Sequence, residues 1–345
     1  MRVRALLVAW LAAAVAGCTV GPDYVKPAAD MPAAWRIDYA AAADAANVRW
    51  WERFDDPVLT ALIESALKEN RDLVVAAARV DAFLGSLVTT RAALYPQAGY
   101  SANANRSRTN PTGAQPPEAD PYSNLYSAAL GASWQVDLFG RVRRQTESAQ
   151  ARVYATEQGR RGVVLSVVTA VAASYIGLRA LDRQLEISQQ TLKNNADTLR
   201  IFELRHKGGV VSKLELAQAQ SQYQQAAAAI PQIEQQIAAQ ENLIAVLQGK
   251  QPYAIPRGRP IAELALPPIP AGLPSALLER RPDVLQAEQN LIAANANIGA
   301  AKALYYPQLA LTGNYGSVSA AFANFLSGPT VAWTLAAALT GPLFT

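Results

Sequence analysis

The sequence predicts an α+β membrane protein in which a long coiled-coil helical hairpin joins four transmembrane β-strands. Three observations carry this reading. The hydrophobic period switches along the chain between two residues and a helical repeat. One helical region keeps a heptad frame over about 110 residues. A helix–turn–strand pattern then recurs at an offset of 211 residues, and an internal repeat sets the architecture.

Composition narrows the functions open to the chain. Only 17 % of the 345 residues are charged, against about 25 % in soluble proteins, and 51 % are hydrophobic. That excludes a disordered chain, and it excludes a nucleic-acid binder, which needs a basic stripe. Mean hydropathy of +0.03 excludes a multi-helix membrane protein. One Cys and one His rule out an intramolecular disulfide, a Cys-rich cluster and a multi-His metal site. There is no phosphate-binding loop, nucleophile elbow or dinucleotide fingerprint. The chain reads as a non-enzyme without metal or cofactor.

The elements follow in order. Arg2 and Arg4 precede an uncharged run, Ala5 to Ala16, that is shorter than the about 20 residues of a membrane span. Small residues and Cys18 complete the layout of a secretory signal peptide. Val15-Ala16-Gly17-Cys18 is similar to a bacterial lipobox, so residues 1–17 are expected to be cleaved and Cys18 to be the lipidation site. Losing Arg2 and Arg4 lowers the formal charge from +4 to +2. Thr19, where an inner-membrane lipoprotein would carry Asp, favours the outer membrane by the same resemblance. Residues 18–56 read as an extended arm.

Asp55-Asp56-Pro57 starts a helix that runs to about Asn70. A second runs from Arg71 to Tyr95 and stops before Pro96. Strict alternation then predicts a β-hairpin over 98–137, with a polar loop over 107–123. Tyr126, Ala128, Leu130, Ala132, Trp134 and Val136 form an apolar face, while Ser127, Ala129, Gly131, Ser133, Gln135 and Asp137 form a small or polar one. In a soluble sheet the apolar face covers a core; in a membrane barrel it faces lipid.

The region 141–249 is a coiled-coil hairpin. Val164, Val171, Leu178, Leu185, Leu192 and Leu199 recur every seventh residue, and Leu216, Ala219, Tyr223, Ala226, Ile230, Ile233 and Ile237 continue at spacings of three and four. Gly208 and Gly209 end the first helix, and Ser212 with Glu215 forms a capping box for the second. The uncharged stretch Gly162–Leu178 is read as coiled-coil core, because its heptad frame continues into polar sequence. Pro231 is expected to bend the second helix. The helix 71–95 and the helix 213–249, stacked end to end, match the long helix that precedes the tip.

A Pro-rich linker closes the first repeat at residue 274. The second repeat, 275–345, holds a short helix near Ser275–Arg281, a longer helix and a β-hairpin over 308–340. At the 211-residue offset Asp72 meets Asp283, Ala82 meets Ala293, and Tyr95-Pro96-Gln97 meets Tyr306-Pro307-Gln308. Trp333 answers Trp134. Four strands cannot close a barrel, and an open edge cannot lie in lipid. If the strands are transmembrane, several chains must share one barrel; bacterial barrels have even strand numbers from eight upward, and three chains would give about twelve.

Cys18-Thr19-Val20-Gly21-Pro22-Asp23-Tyr24, Leu94-Tyr95-Pro96-Gln97, Leu216-Ala217-Gln218-Ala219-Gln220 and Leu277-Leu278-Glu279-Arg280-Arg281-Pro282-Asp283-Val284 closely resemble the outer membrane factor family, the TolC-like lipoproteins of RND-type tripartite efflux systems. The resemblance implies a homotrimer with a twelve-stranded barrel in the outer membrane and a helical tunnel across the periplasm. It implies a passive duct for drugs or other small molecules, whose helical tips dock to a periplasmic adaptor and an inner-membrane RND-type pump. The pump supplies the energy.

One departure stands out. The chain stops at Thr345, where the first repeat enters its long helix, so about 110 residues of a second hairpin are absent by analogy with 141–249. A fragment or truncated chain is expected, and no gating residue can be assigned.

The candidate sites are few. Cys18 is the expected anchor. The tip residues Gly208, Gly209, Val210, Val211, Ser212 and Leu214 are the expected adaptor contact, although any hairpin needs glycines there. Tyr100, Tyr126, Trp134, Tyr315 and Trp333 are the expected interfacial aromatics. Asp137 reads as a solvated wall residue and His206 as a favourable cation at a helix end. The alternative is a periplasmic adaptor lipoprotein with a single coiled-coil hairpin, but the repeat of helix plus strands favours the duct.

Overall fold

The computed structural model describes residues 19–27, 49–108, 121–265 and 277–344. The signal peptide, Cys18, residues 28–48 of the arm, the loop 109–120 and the segment 266–276 lie outside the described residues, as does Thr345. The chain divides into two compact units. One comprises Met1–Ala28, Val80–Thr156 and Gln286–Thr345; the other comprises Ala29–Arg79 and Glu157–Leu285.

The second of these units is helical. Helix α1, Pro57–Glu69, starts at the acid-before-Pro signal: Asp56 is its N-cap and accepts from Val58 N and Leu59 N at 2.8 and 3.3 Å. Its apolar face (Leu59, Leu62, Ile63 and Ala66) is fully buried. It shares a core with Val167, Val168, Val171, Ala172, Tyr175 and Leu178 of α3, Arg141–Lys207, and with Ile244 of α4, Lys213–Leu247. Fully burying one Leu or Ile contributes about 1.5–3 kcal/mol, so this cluster holds the helices together. The uncharged stretch of α3 is therefore core, as its heptad frame indicated. Every heptad position from Val164 to Leu199 and from Leu216 to Leu247 is buried or half-buried. Pro231 sits inside α4, which continues through it.

Two polar nodes lock this unit. Asp56, 1 % exposed, also accepts from the Tyr175 hydroxyl at 2.8 Å and from Arg259 N at 3.1 Å, and Gly258 N donates to the Tyr175 oxygen at 2.9 Å. One carboxylate thus ties the start of α1, the middle of α3 and the chain returning from α4. The second node is Asn70. Its Oδ1 accepts from Asp72 N and Leu73 N at 2.8 and 3.1 Å, capping α2, Arg71–Ala92. Its Nδ2 donates to Leu247 O at 2.7 Å, at the last turn of α4. The C-terminus of α4 therefore meets the N-terminus of α2 end to end, and a single amide serves both orphaned ends.

The first unit contains a four-stranded antiparallel sheet in the order β1–β2–β3–β4: β1 is Gln97–Arg108, β2 Tyr122–Val136, β3 Gln308–Ser319 and β4 Val331–Thr340. The strands of the first hairpin reach further than expected, leaving a shorter loop. Helix α2 ends at Ala92, three residues before the expected end. Tyr95 precedes Pro96 and is barred from helical geometry. Residues 93–95 turn instead with tighter bonds, Ala93 N to Thr90 O, Leu94 N to Arg91 O and Tyr95 N to Ala92 O. A four-residue helix α5, Leu277–Arg280, precedes α6, Pro282–Lys302, which ends in the same way in a 3-10 turn, Ala303–Tyr305, ahead of Pro307. The element order α6–β3–β4 follows that of α2–β1–β2.

Replacing Asn70 with Ala removes a cap worth about 0.5–2 kcal/mol and orphans the Leu247 carbonyl, a further penalty of about 1–3 kcal/mol. Asn70→Ala is expected to lower thermal stability clearly, and Asn70→Asp, which keeps the cap but sets a carboxylate oxygen against the Leu247 carbonyl, to lower it as well. Circular dichroism melts in detergent check this, and unchanged melting of the Ala variant would refute the splice. The Tyr175 hydroxyl is pushed up to about 12, from 10.0, first by burial and then by its hydrogen bond to Asp56. A raised folded-state value means the stabilisation is complete below pH 10 and is lost as pH climbs toward 12. Tyr175→Phe should be less stable at pH 8 and show a flatter decline between pH 10 and 12.

Candidate functional site

The sheet is built with two chemically different faces. Register places Tyr100 opposite Leu130, Leu130 opposite Tyr315, and Tyr315 opposite Trp333, one apolar row crossing all four strands. Tyr100 is 89 % exposed and Trp333 69 %. Toward the helix end of this face the rows Ala98–Ala132–Gly313–Leu335, Trp134–Leu311–Ala337 and Val136–Leu309–Leu339 are also uncharged and largely apolar. The opposite face carries the rows Gly99–Gly131–Asn314–Thr334 and Gln97–Ser133–Thr312–Ala336. A concavity of about 450 Å3 lies on it between Gln97, Gly99, Gly131, Ser133, Thr312 and Asn314. Among the described strand residues, none on this face is charged.

The five aromatics do not act alike. Tyr100, Tyr315 and Trp333 share the central row. Trp134 lies at the helix end of β2, and its indole N–H donates to Leu94 O at 3.0 Å, bracing the turn between α2 and β1. Tyr126 lies at the loop end, edge-on to Phe322 at 5.4 Å. Asp137 is not a solvated wall residue. It accepts from Val142 N and Arg143 N at 3.1 and 2.9 Å and pairs with the Arg143 guanidinium, so it caps α3 where the chain turns from strand to helix.

The segment after Cys18 is strapped to the rim of the sheet. Val20 N donates to Phe139 O at 3.2 Å, and Phe139 stacks on Tyr306 at 4.7 Å. Gly21, at φ +108°, crosses α6 at Gly299 so closely that a Cβ on Gly21 would lie 2.3 Å from Gly299 Cα. Asn295 Nδ2 donates to Pro22 O, and the Tyr24 hydroxyl to Glu288. Arg144, with its side chain buried, donates to Asp23 at 2.6 Å and to Glu147 at 2.8 Å. These two carboxylates, Asp23 foremost, hold the guanidinium pKa above its usual value. The Tyr24 hydroxyl is pushed up, first by burial and then by Glu288. Sequence reasoning noticed this motif only as a family mark; the glycine at 21 and the carbonyl-rich crossing had no local signal.

At the hairpin tip Gly209 takes φ +72°, and Val210 N closes the helix end by donating to Arg205 O at 2.9 Å. Ser212 and Glu215 form the reciprocal capping box. The backbone N–H of Ser212 is the main cause that lowers the Glu215 pKa. His206 Nδ1 lies 3.0 Å from Val211 O. Val210 and Leu214 remain broadly exposed.

The model of the outer membrane efflux protein family matches residues 62–250 and 273–345. The chain belongs to the outer membrane efflux protein family. Similar relatives include the solvent efflux pump outer membrane protein SrpC of Pseudomonas putida, 34 % identical over 336 residues, covering 95 % of this chain and 71 % of SrpC. The antibiotic efflux pump outer membrane protein ArpC of Pseudomonas putida is 35 % identical, covering 95 % of this chain and 69 % of ArpC. The solved outer-membrane channel OprN superposes with a TM-score of 0.80 at 31 % identity, over 94 % of this chain and 73 % of OprN. This efflux protein is thus an outer-membrane duct, not an adaptor, and its relatives are channels and not enzymes. The resemblance read from the sequence names the same family.

Gly299→Ala would place a Cβ 2.6 Å from Val20 O and 2.9 Å from Arg144 Cγ. Although Ala favours a helix over Gly by up to about 1 kcal/mol, the strap must lift. Residues 19–27 should be cleaved faster in limited proteolysis of the Gly299→Ala protein, and wild-type protection would refute the crossing's role.

Proposed function

We propose that three copies of this chain close one twelve-stranded barrel and form a passive exit duct for small molecules. The observation that carries it is the sheet itself: two open edges, β1 and β4, and two exposed faces of opposite polarity. An unpaired edge in lipid costs several kcal/mol per peptide group, so β4 of one copy must pair with β1 of the next. That contact is head-to-tail and closes a ring. The strand lengths of 12, 15, 12 and 10 residues suffice to cross the hydrocarbon layer, which takes about 9–11. Trp134 and Tyr126 are eight residues apart on β2, about 26 Å along the strand, which at a barrel tilt of about 40° spans about 20 Å across the membrane. The apolar residues exposed on α2, among them Val74, Leu84 and Val88, belong to contacts between copies.

The 211-residue offset relates β1 to β3 end for end, supporting an internal repeat as the origin of the sheet. The polar face lines the pore. With no charged ring on it among the described residues, the wall discriminates little, which suits cargo such as the solvents and antibiotics for which the relatives are named. Selectivity then belongs to an inner-membrane pump of the RND type. The hairpin tip, with exposed Val210 and Leu214 on a rigid capped turn, is the docking surface for a periplasmic adaptor. Cys18 carries the lipid; the residues that follow it are held at the sheet's rim, Thr19 against Gly140 and Val20 against Phe139.

Two measurements test this. The full-length protein purified from outer membranes should run as a heat-modifiable trimer and conduct ions in planar bilayers; a stable, non-conducting soluble monomer would overturn the duct. Cys18→Ser should lose the mass of the acyl chains, and an unchanged mass would remove the anchor.

A further inference from the structure

The loop joining β3 to β4 does not rise away from the sheet but folds back over its apolar face. Ser317 and Ser319 interrupt the apolar alternation of β3 and are nearly buried beneath this loop. The Ser317 hydroxyl bonds to Phe325 O and to Thr330 Oγ1, and the Ser319 hydroxyl donates to Ala321 O at 2.8 Å. The loop roofs one side of a groove of about 390 Å3, whose walls include Tyr100, Ala128, Leu130, Tyr315, Leu326 and Val331. Nearly all of that wall is hydrocarbon.

Above the groove the same face changes character. Arg106 and Arg108 occupy two successive positions on the apolar side of β1, where alternation calls for apolar residues. Both guanidiniums rest against one ring, Tyr122, at 5.3 and 5.7 Å. Neither forms an ion pair among the described residues. Arg106 is four residues beyond Ala102, about 13 Å along the strand toward the loop end. Stacking holds the two cationic forks side by side, and guanidinium forks match phosphate oxygens in a bidentate way.

We propose that this face is a binding site for one phosphorylated, multiply acylated glycolipid of the outer leaflet, its phosphate on Arg106 and Arg108 and one acyl chain in the groove under the β3–β4 loop. The inference rests on the reading that the apolar face meets lipid, and it adds a specific occupant. The loop end of the sheet lies opposite α2, α3 and α6, which extend from the strands' other ends. With those helices in the periplasm, the arginines reach the outer leaflet, where the anionic lipid is a phosphoglycolipid and not a phospholipid. The lipid would also clamp the loop that Ser317 tethers, coupling leaflet composition to the mouth of the duct.

The test uses the full-length trimer in detergent, delipidated and titrated with lipid A, dephosphorylated lipid A or phosphatidylglycerol, and read by native mass spectrometry. Wild type should retain lipid A at least tenfold better than either of the others. The double variant R106A/R108A should lose that preference, and L326S should weaken lipid A retention with the phosphate contacts intact. Equal retention of phosphatidylglycerol by wild type, or unchanged lipid A retention in R106A/R108A, overturns the proposal. Trimer and conductance measured on the same samples separate this from the duct reading: their loss in wild type would reject the barrel, whereas their persistence alongside equal lipid retention rejects only the glycolipid site.

Discussion

Every peptide group at a helix end or a sheet edge needs a partner, and that requirement organises this chain from its core to its membrane sheet. Asn70 meets it with one side chain, accepting from the first turn of α2 while donating to the last turn of α4. The two helix ends thereby meet at one buried side chain. Asp56 meets it at the start of α1 and spends its second oxygen on Tyr175 and Arg259. Asp137 meets it where β2 hands over to α3. The sheet leaves the requirement unmet at its two edges, β1 and β4.

The same economy shapes the membrane face. Alternation turns mostly apolar residues to one side and mostly small or polar uncharged ones to the other, so each strand carries two chemistries at once. Where alternation breaks, at Ser317, Ser319, Arg106 and Arg108, the structure supplies a reason: hydroxyls tether a loop, and two guanidiniums stack on Tyr122.

Much of this was legible beforehand. The start of α1 at Pro57, the capping box at Ser212, the heptad seam of α3 and α4, and the second hairpin over 308–340 all follow from local spacing. The end of α2 was misplaced by three residues because tight turn bonds ahead of Pro96 compete with a last helical turn. Asp137 was misjudged because strand parity puts it on the polar face, while the helix that begins four residues later claims its carboxylate. The strap at 19–24 gave only a motif; its crossing of Gly299 joins residues far apart in the chain, and two glycines carry no periodic signal.

The sequence by itself determined the periods, and with them the element types, the seam of the hairpin and the two faces of each strand, because periodicity depends only on consecutive residues. The tertiary structure alone decided which distant groups meet. Val136 pairs with Leu309, Asn70 reaches Leu247, and the β3–β4 loop settles on the apolar face. Such contacts depend on the register of remote segments and on the need of single buried polar atoms for partners, and neither quantity is written in any local stretch of residues.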